Sequence, residues 1–196
     1  NPSGHPLTVI INGLVNALYI RYTYAIINNG DAKDFKQNVS LMTYGDDMIM
    51  GVSDDVPLFH HTSIQKILMD ADIGYTMADK EAKSIPYIHI DEASFLKRTW
   101  RYDNDVGAYL CPLEHDSINK MLTMCVKSKT ISMEQQAVSI ISTAVREYFF
   151  YGKEIFETKS QMFKKVVEDT DLKHYVDKST FPTWNELYDL FWEQSE

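Results

Sequence analysis

From Leu7 to about Ile27 apolar and aromatic residues run almost without a break, a length that favours a buried helix over a strand, and Asn28-Asn29-Gly30 supplies the stop. Within the run Thr8, Asn12 and Asn16 recur every fourth residue. That spacing sets three polar side chains on one face, where they either bond to neighbouring backbone in the core or face a ligand. Val39 to Tyr44 and Met48 to Ser53 are short apolar and aromatic segments, and the Gly45-Asp46 between them fits a two-residue turn with glycine first. The pattern predicts a β-hairpin with the carboxylates of Asp46 and Asp47 at its tip. Asp54-Asp55, the same pair a few residues on, precedes Val56-Pro57 and reads as an ordinary loop.

An amphipathic helix follows, with Thr62 and Gln65 suited to a capping box, a buried stripe of Ile64, Ile67, Leu68 and Ala71, and Gly74 as its end. His60-His61 reads as an exposed pair before that helix, and Tyr75 to Met77 as a strand after it. Phe95 to Tyr102 and Ala108 to Cys111 flank Asp103-Asn104-Asp105-Val106-Gly107, which predicts a second hairpin with a longer loop. Beyond Pro112 strand signals vanish and three or four capped helical patterns take over. Ser132 with Gln135 opens a helix running to about Tyr151, and Thr183 with Glu186 opens the last, which presents Trp184, Leu187, Tyr188 and Phe191. Glu168 to Thr180 reads as a loop-rich connection.

Composition bounds this picture without changing it. With 196 residues, 44% hydrophobic and 12% aromatic, the chain can bury the core of one large domain or two small ones. No uninterrupted apolar run approaches the roughly 20 residues that span a bilayer, since Asn12, Gly13 and Asn16 interrupt Val9 to Leu18. Cys111 and Cys125 have neither zinc-ligand spacing nor enough company for a disulfide framework, so both read as small core residues in a reducing compartment. A net charge of −9 argues against a nucleic-acid footprint within the chain. The opening Asn1-Pro2-Ser3-Gly4 lacks an initiator and a signal-peptide pattern, so the chain reads as a piece of a longer protein whose basic part lies upstream.

Four short motifs stand in order along this frame: Ser3-Gly4-x-x-x-Thr8-x-x-x-Asn12, Tyr44-Gly45-Asp46-Asp47, Ala78-Asp79-Lys80 and Phe95-Leu96-Lys97-Arg98. Together they resemble motifs B, C, D and E of the RNA-dependent RNA polymerases of positive-strand RNA viruses, most closely the picornavirus-like (Picornavirales) group. Any one alone is weak, whereas four in order at such spacing make chance a poor explanation. The resemblance implies an α+β fold: part of a right-hand polymerase palm over residues 1–112, with the Asp-bearing hairpin, and an all-α thumb over 113–196, the fingers being absent.

The chemistry explains the residue types. Nucleotide addition is phosphoryl transfer, in which a primer 3′-hydroxyl attacks an α-phosphate in line while pyrophosphate leaves. Two Mg²⁺ ions roughly 3.5–4 Å apart can clamp the attacking and leaving oxygens. By resemblance Asp46 is the principal metal ligand and Asp47 assists, with Mn²⁺ able to replace Mg²⁺. The resemblance gives Ser3, Thr8 and Asn12 a network around the 2′-hydroxyl that marks a ribose, and makes Gly4 a hinge before the helix. It makes Lys80 the donor of a proton to the departing pyrophosphate, against the bland reading of a solvated lysine. It sets Lys97 or Arg98 against the primer backbone, alternation sending the two to opposite faces. Asn16, with no firm family role, stays a core residue.

The implied partners are template and product RNA, nucleoside triphosphates and other viral replication proteins, within a polyprotein acting in membrane-associated complexes of the host cytoplasm. The family's first catalytic aspartate, an Asp-x4-5-Asp upstream of motif B, is not in this chain, so the chain alone is expected not to polymerise nucleotides. Pro6 stands where many relatives have a small residue. Two other readings compete: a reverse transcriptase-like palm, which the Ser3/Thr8/Asn12 set opposes, and a non-catalytic RNA- or protein-binding module, which the paired Asp46-Asp47 opposes.

Overall fold

The computed structural model describes residue 5 and residues 7–194, and the chain divides into two compact units, 1–96 and 97–196. Among the described residues, seven helices and two small antiparallel sheets make an α+β fold.

In the first unit, helix α1 (Thr8–Ile27) ends as the sequence predicts, with Asn29 and Gly30 at positive φ and the Gly30 N–H returning to the Ala25 carbonyl. Its C-terminal half is buried through Ile20, Thr23 and Tyr24. In the N-terminal half only Gly13 is buried. Leu14 and Leu18 are 62% and 65% exposed, and Ile10 is exposed beside them, so the expectation of a buried helix holds only for the second half. An all-round apolar helix needs cover on every side, and the described residues cover one.

A short helix α2 (Phe35–Asn38), not foreseen in the sequence, leads into strand β1 (Val39–Tyr44), which pairs with β2 (Asp47–Val52) in register from Val39↔Val52 to Tyr44↔Asp47. Val39, Leu41, Met48, Met50 and Val52 join Ile20, Tyr24, Phe35, Phe59, Ile64 and Leu68 in one apolar core, whereas Met42, Tyr44 and Asp47 stand on the open face. Period-two alternation thus sets Asp47 away from the core.

Helix α3 (His61–Asp70) buries Ile64 and Leu68 and ends before Ala71, with Asp72 at φ 59°, short of the predicted Gly74. Its capping box is His60 with Ser63, not Thr62 with Gln65: the His60 ring accepts from the Ser63 N–H and the Ser63 hydroxyl accepts from the His60 N–H. His60 and His61 are therefore half-buried rather than exposed. Tyr75 to Met77 forms no strand, because the Tyr75 carbonyl is taken by the Gln65 side-chain amide at 2.7 Å and no strand runs alongside.

In the second unit, β3 (Arg101–Asp103) pairs with β4 (Ala108–Leu110), a shorter ladder than predicted, extended only by an isolated bridge between Arg98 and Leu113. Leu96 and Lys97 break the incoming strand, both at positive φ (52° and 62°). Helices α4 (His115–Thr123), α5 (Met133–Phe149), α6 (Lys153–Glu168) and α7 (Trp184–Glu193) follow, and the Ser132/Gln135 and Thr183/Glu186 capping boxes open α5 and α7 as predicted. A 3₁₀ segment at Asp171–Tyr175 lies where a loop was expected, with Leu172 packed on the core. That core gathers Val106, Leu110, Ile118, Val145, Phe149, Phe156, Phe163, Trp184 and Leu187, so the second hairpin shares it with the helices. Cys111 is half-buried, but Cys125 is exposed, against the expectation of two core thiols.

Candidate functional site

The Asp46 turn is built from three local decisions. Gly45 has φ 63°, and Asp46 is not among the positive-φ residues, so left-handed backbone is needed only at the first central position, as in a type II′ turn that matches strand twist. Helix α1 approaches the turn through Gly13: a Cβ there would lie 3.3 Å from the Thr43 Oγ1 and 3.8 Å from the Gly45 nitrogen. One turn on, the Asn16 side-chain amide donates to the Gly45 carbonyl at 2.7 Å. Gly45 is buried by this contact while Asp46 and Asp47 remain exposed.

Neither aspartate is hydrogen-bonded through its side chain or ion-paired to another described residue. Two adjacent, unpaired carboxylates on a braced hairpin suit a hard cation that takes one or two carboxylates and fills its shell with phosphate and water. Among the described residues no group of three or more His, Cys, Asp or Glu comes together.

The polar stripe shares a helix face with this contact. Thr8, Asn12 and Asn16 are each half-buried, while Val9, Ile10, Ile11, Leu14 and Val15 around them are exposed. Asn16 was assigned to the core by sequence, yet it is the residue that grips the turn. Its spacing from Asn12 was the signal that would have found it. Ser3 and Gly4 lie outside the described residues.

Lys80 sits in the same unit on an exposed turn that Asp79 shapes, its Oδ1 accepting from the Glu81 N–H at 3.0 Å and its carbonyl from the Ala82 N–H at 3.1 Å. Its ammonium makes no hydrogen bond or ion pair to a described residue.

Lys97 and Arg98 fall in the second unit and behave differently. The Arg98 guanidinium forks onto Glu147 of α5, Nη1 to Oε2 at 2.9 Å and Nη2 to Oε1 at 2.8 Å, and Nη1 also donates to the Cys111 carbonyl at 2.9 Å. The ring of Phe150 lies 5.7 Å from its guanidinium carbon. Lys97 is exposed, with its ammonium 2.7 Å from the Glu114 Oε1, and this hydrogen bond, ahead of one from Ser117, holds the Glu114 carboxyl below the usual range. The two residues do diverge, but through a left-handed turn rather than strand alternation.

No helix among the described residues is long and apolar enough to cross a membrane. A model of the viral RNA-dependent RNA polymerase family matches residues 1–167. The chain is 30% identical over 88% of its length to the replicase polyprotein of Cricket paralysis virus, and 29% identical over 80% to that of Drosophila C virus. It is 28% identical over 89% of its length to the RNA1 polyprotein of Raspberry ringspot virus. It spans 8–10% of the length of these polyproteins. Four ordered motifs, the glycine-led aspartate turn and the matched family model agree: the chain belongs to the viral RNA-dependent RNA polymerases, in their picornavirus-like group.

Proposed function

We propose that the chain supplies part of the palm (1–112) and the thumb (113–196) of an RNA-directed RNA polymerase that carries out template-directed nucleotidyl transfer in viral RNA replication. The observation that carries this reading is the Asp46 turn, which bears exposed, unpaired carboxylates and whose Gly45 carbonyl accepts from Asn16 on the helix that also bears Thr8 and Asn12. Asp46 and Asp47 are the residues that would hold Mg²⁺ or Mn²⁺, which when bound neutralises charge on the reacting phosphates.

The chain's own residues do the rest. Thr8 and Asn12, with Ser3, read the 2′-hydroxyl of the incoming sugar; a site built for that hydroxyl is left with unpaired polar groups by a deoxyribose. Lys80 gives a proton to the leaving pyrophosphate. Lys97, exposed with its ammonium against the Glu114 carboxylate, reaches the primer backbone, while Arg98 is committed to Glu147. The partners are template and product RNA, nucleoside triphosphates and other viral replication proteins, in replication complexes of the host cytoplasm. The exposed apolar side of α1 supports a further reading, that another part of the polymerase packs there and that residues 1–196 alone do not incorporate nucleotides.

The test is single-nucleotide incorporation on a primed RNA template by the full-length polymerase. Incorporation of NTP over dNTP is the expected result, with the preference weakened in Asn12→Ala. A preference for dNTP would make the palm a reverse transcriptase, and RNA binding without incorporation would make it a binding module.

A further inference from the structure

The segment that carries Lys80 is a loop with both ends fastened to one side chain. At its start, the ring of Tyr75 stacks on the His61 imidazole with centroids 4.7 Å apart and planes at 28°. At its finish, the Ser84 hydroxyl lies 2.7 Å from His61 Nδ1 and 3.1 Å from the Thr62 Oγ1. Just beyond, the His61 N–H donates to the Pro86 carbonyl at 3.1 Å. Between these fastenings, residues 76–83 are exposed but for Met77. Lys80 stands at their outer turn.

Histidine suits this place for a physical reason. Its flat ring offers a stacking face to Tyr75 and an in-plane nitrogen to Ser84 at once, which neither an aliphatic nor an amide side chain can do. The other ring nitrogen, Nε2, is buried with no close hydrogen-bond partner among the described residues. A buried ring nitrogen with no partner is a cost, and a loop closed only for stability could avoid it with a phenylalanine.

We propose that His61 is a positioning residue for Lys80: by closing the loop 75–84 on helix α3, its imidazole limits where the Lys80 ammonium can travel. The role rests on the reading of Lys80 as the proton donor. Without the imidazole the loop ends keep their bonds to Gln65, Thr62 and the main-chain N–H of residue 61 but lose the ring that joins them, so the ammonium samples a larger volume and fewer turnovers find it in reach of the leaving group. The closure acts on the chemical step and leaves nucleotide binding alone.

The experiment uses the full-length polymerase and compares His61→Phe, which keeps the stack and loses the Ser84 bond, with Ser84→Ala, which removes the same bond from the exposed side with little change in volume. His61→Asn, which restores a hydrogen-bonding group near Nδ1, is the rescue. The expected result is a roughly three- to tenfold fall in kcat with KM for NTP changed less than about twofold, partial recovery in His61→Asn, and faster amide exchange across 76–83. Combined with Lys80→Leu, the closure variants cost nothing further, since both act through one group. Unchanged kcat in His61→Phe and Ser84→Ala, or full additivity with a slow Lys80→Leu, overturns the positioning role alone. A flat kcat in Lys80→Leu overturns the proton-donor reading and the positioning role together.

Discussion

The side-chain amide of Asn16 donates to the carbonyl of Gly45 over 2.7 Å, tying the helix that bears Thr8 and Asn12 to the turn that bears Asp46. A partly buried carbonyl that loses its donor forfeits about 1 kcal/mol, more where water cannot take its place. Asn16→Ala is therefore expected to lower the stability of the first unit by about 1–2 kcal/mol and Asn16→Asp by more, since a carboxylate cannot donate and repels the carbonyl. Hydrogen exchange at β1 and β2 in the purified chain reads this directly; protection equal to the parent's in both variants would contradict it.

Gly45 and Gly13 should fail for different reasons. Gly45→Ala has space for its methyl but forces an L residue to φ 63°, at a cost of about 1–2 kcal/mol, and Gly45→Asn should cost less. Gly13→Val instead drives a branched side chain toward Thr43, pushing α1 off the turn. Exchange at the Asp46 and Asp47 amides separates the two. It should quicken more in Gly13→Val.

Arg98 and Lys97 are predicted to part company. Arg98→Ala strands Glu147, whose side chain is 17% exposed, and should cost the second unit about 1–3 kcal/mol, below the range for a fully buried pair. Trp100, Trp184 and Trp192 all lie in that unit, so tryptophan fluorescence in urea follows it. Lys97→Ala breaks an exposed pair and should change stability by under about 1 kcal/mol. In the full-length polymerase Lys97→Ala should weaken primed-template binding and lower the salt slope by roughly one, the mark of one lost phosphate contact. An unchanged slope would remove Lys97 from the RNA.

His61 should make the first unit acid-sensitive. Burial holds its imidazole below the ordinary 6.5, with His60 adding a smaller push the same way and the Thr76 backbone opposing both. The unfolded chain then takes up the proton more readily than the folded one, so this contribution is whole above about pH 6.5 and is lost as pH falls below it. Between pH 7.5 and 5.5 the melting temperature should fall further for the parent chain than for His61→Asn. Equal falls would mean that the buried imidazole is not the group responsible.

The hairpin was legible because its information is local. Alternation, a glycine that must turn and two flanking apolar runs settle register and turn type without help from the rest of the chain. Both later capping boxes were legible on the same ground, each being a pair of residues three apart. What escaped was decided by partners. Tyr75 to Met77 has the composition of a strand but gives its first carbonyl to Gln65. His60 took the capping position from Thr62 because its ring nitrogen can accept from Ser63, a use of histidine outside the usual cap residues. Arg98 and Lys97 could not be ranked until Glu147, far along the chain, appeared beside one of them. The apolar run of α1 announced burial, and the described residues supply it for only half the helix.

The central claim is that the Asp46 carboxylate holds a divalent metal for nucleotidyl transfer, and the most direct measurement is metal-dependent single-nucleotide incorporation by full-length Asp46→Asn polymerase bound to primed RNA. The substitution keeps the side chain's size and removes its charge, and Asp46 is exposed and unpaired, so folding and RNA binding should be unaffected. The account predicts a loss of roughly a thousandfold or more in kcat, about 4 kcal/mol of barrier, with RNA affinity kept. Incorporation within about tenfold of the parent at the same Mg²⁺ concentration, a change under about 1.4 kcal/mol, would contradict it.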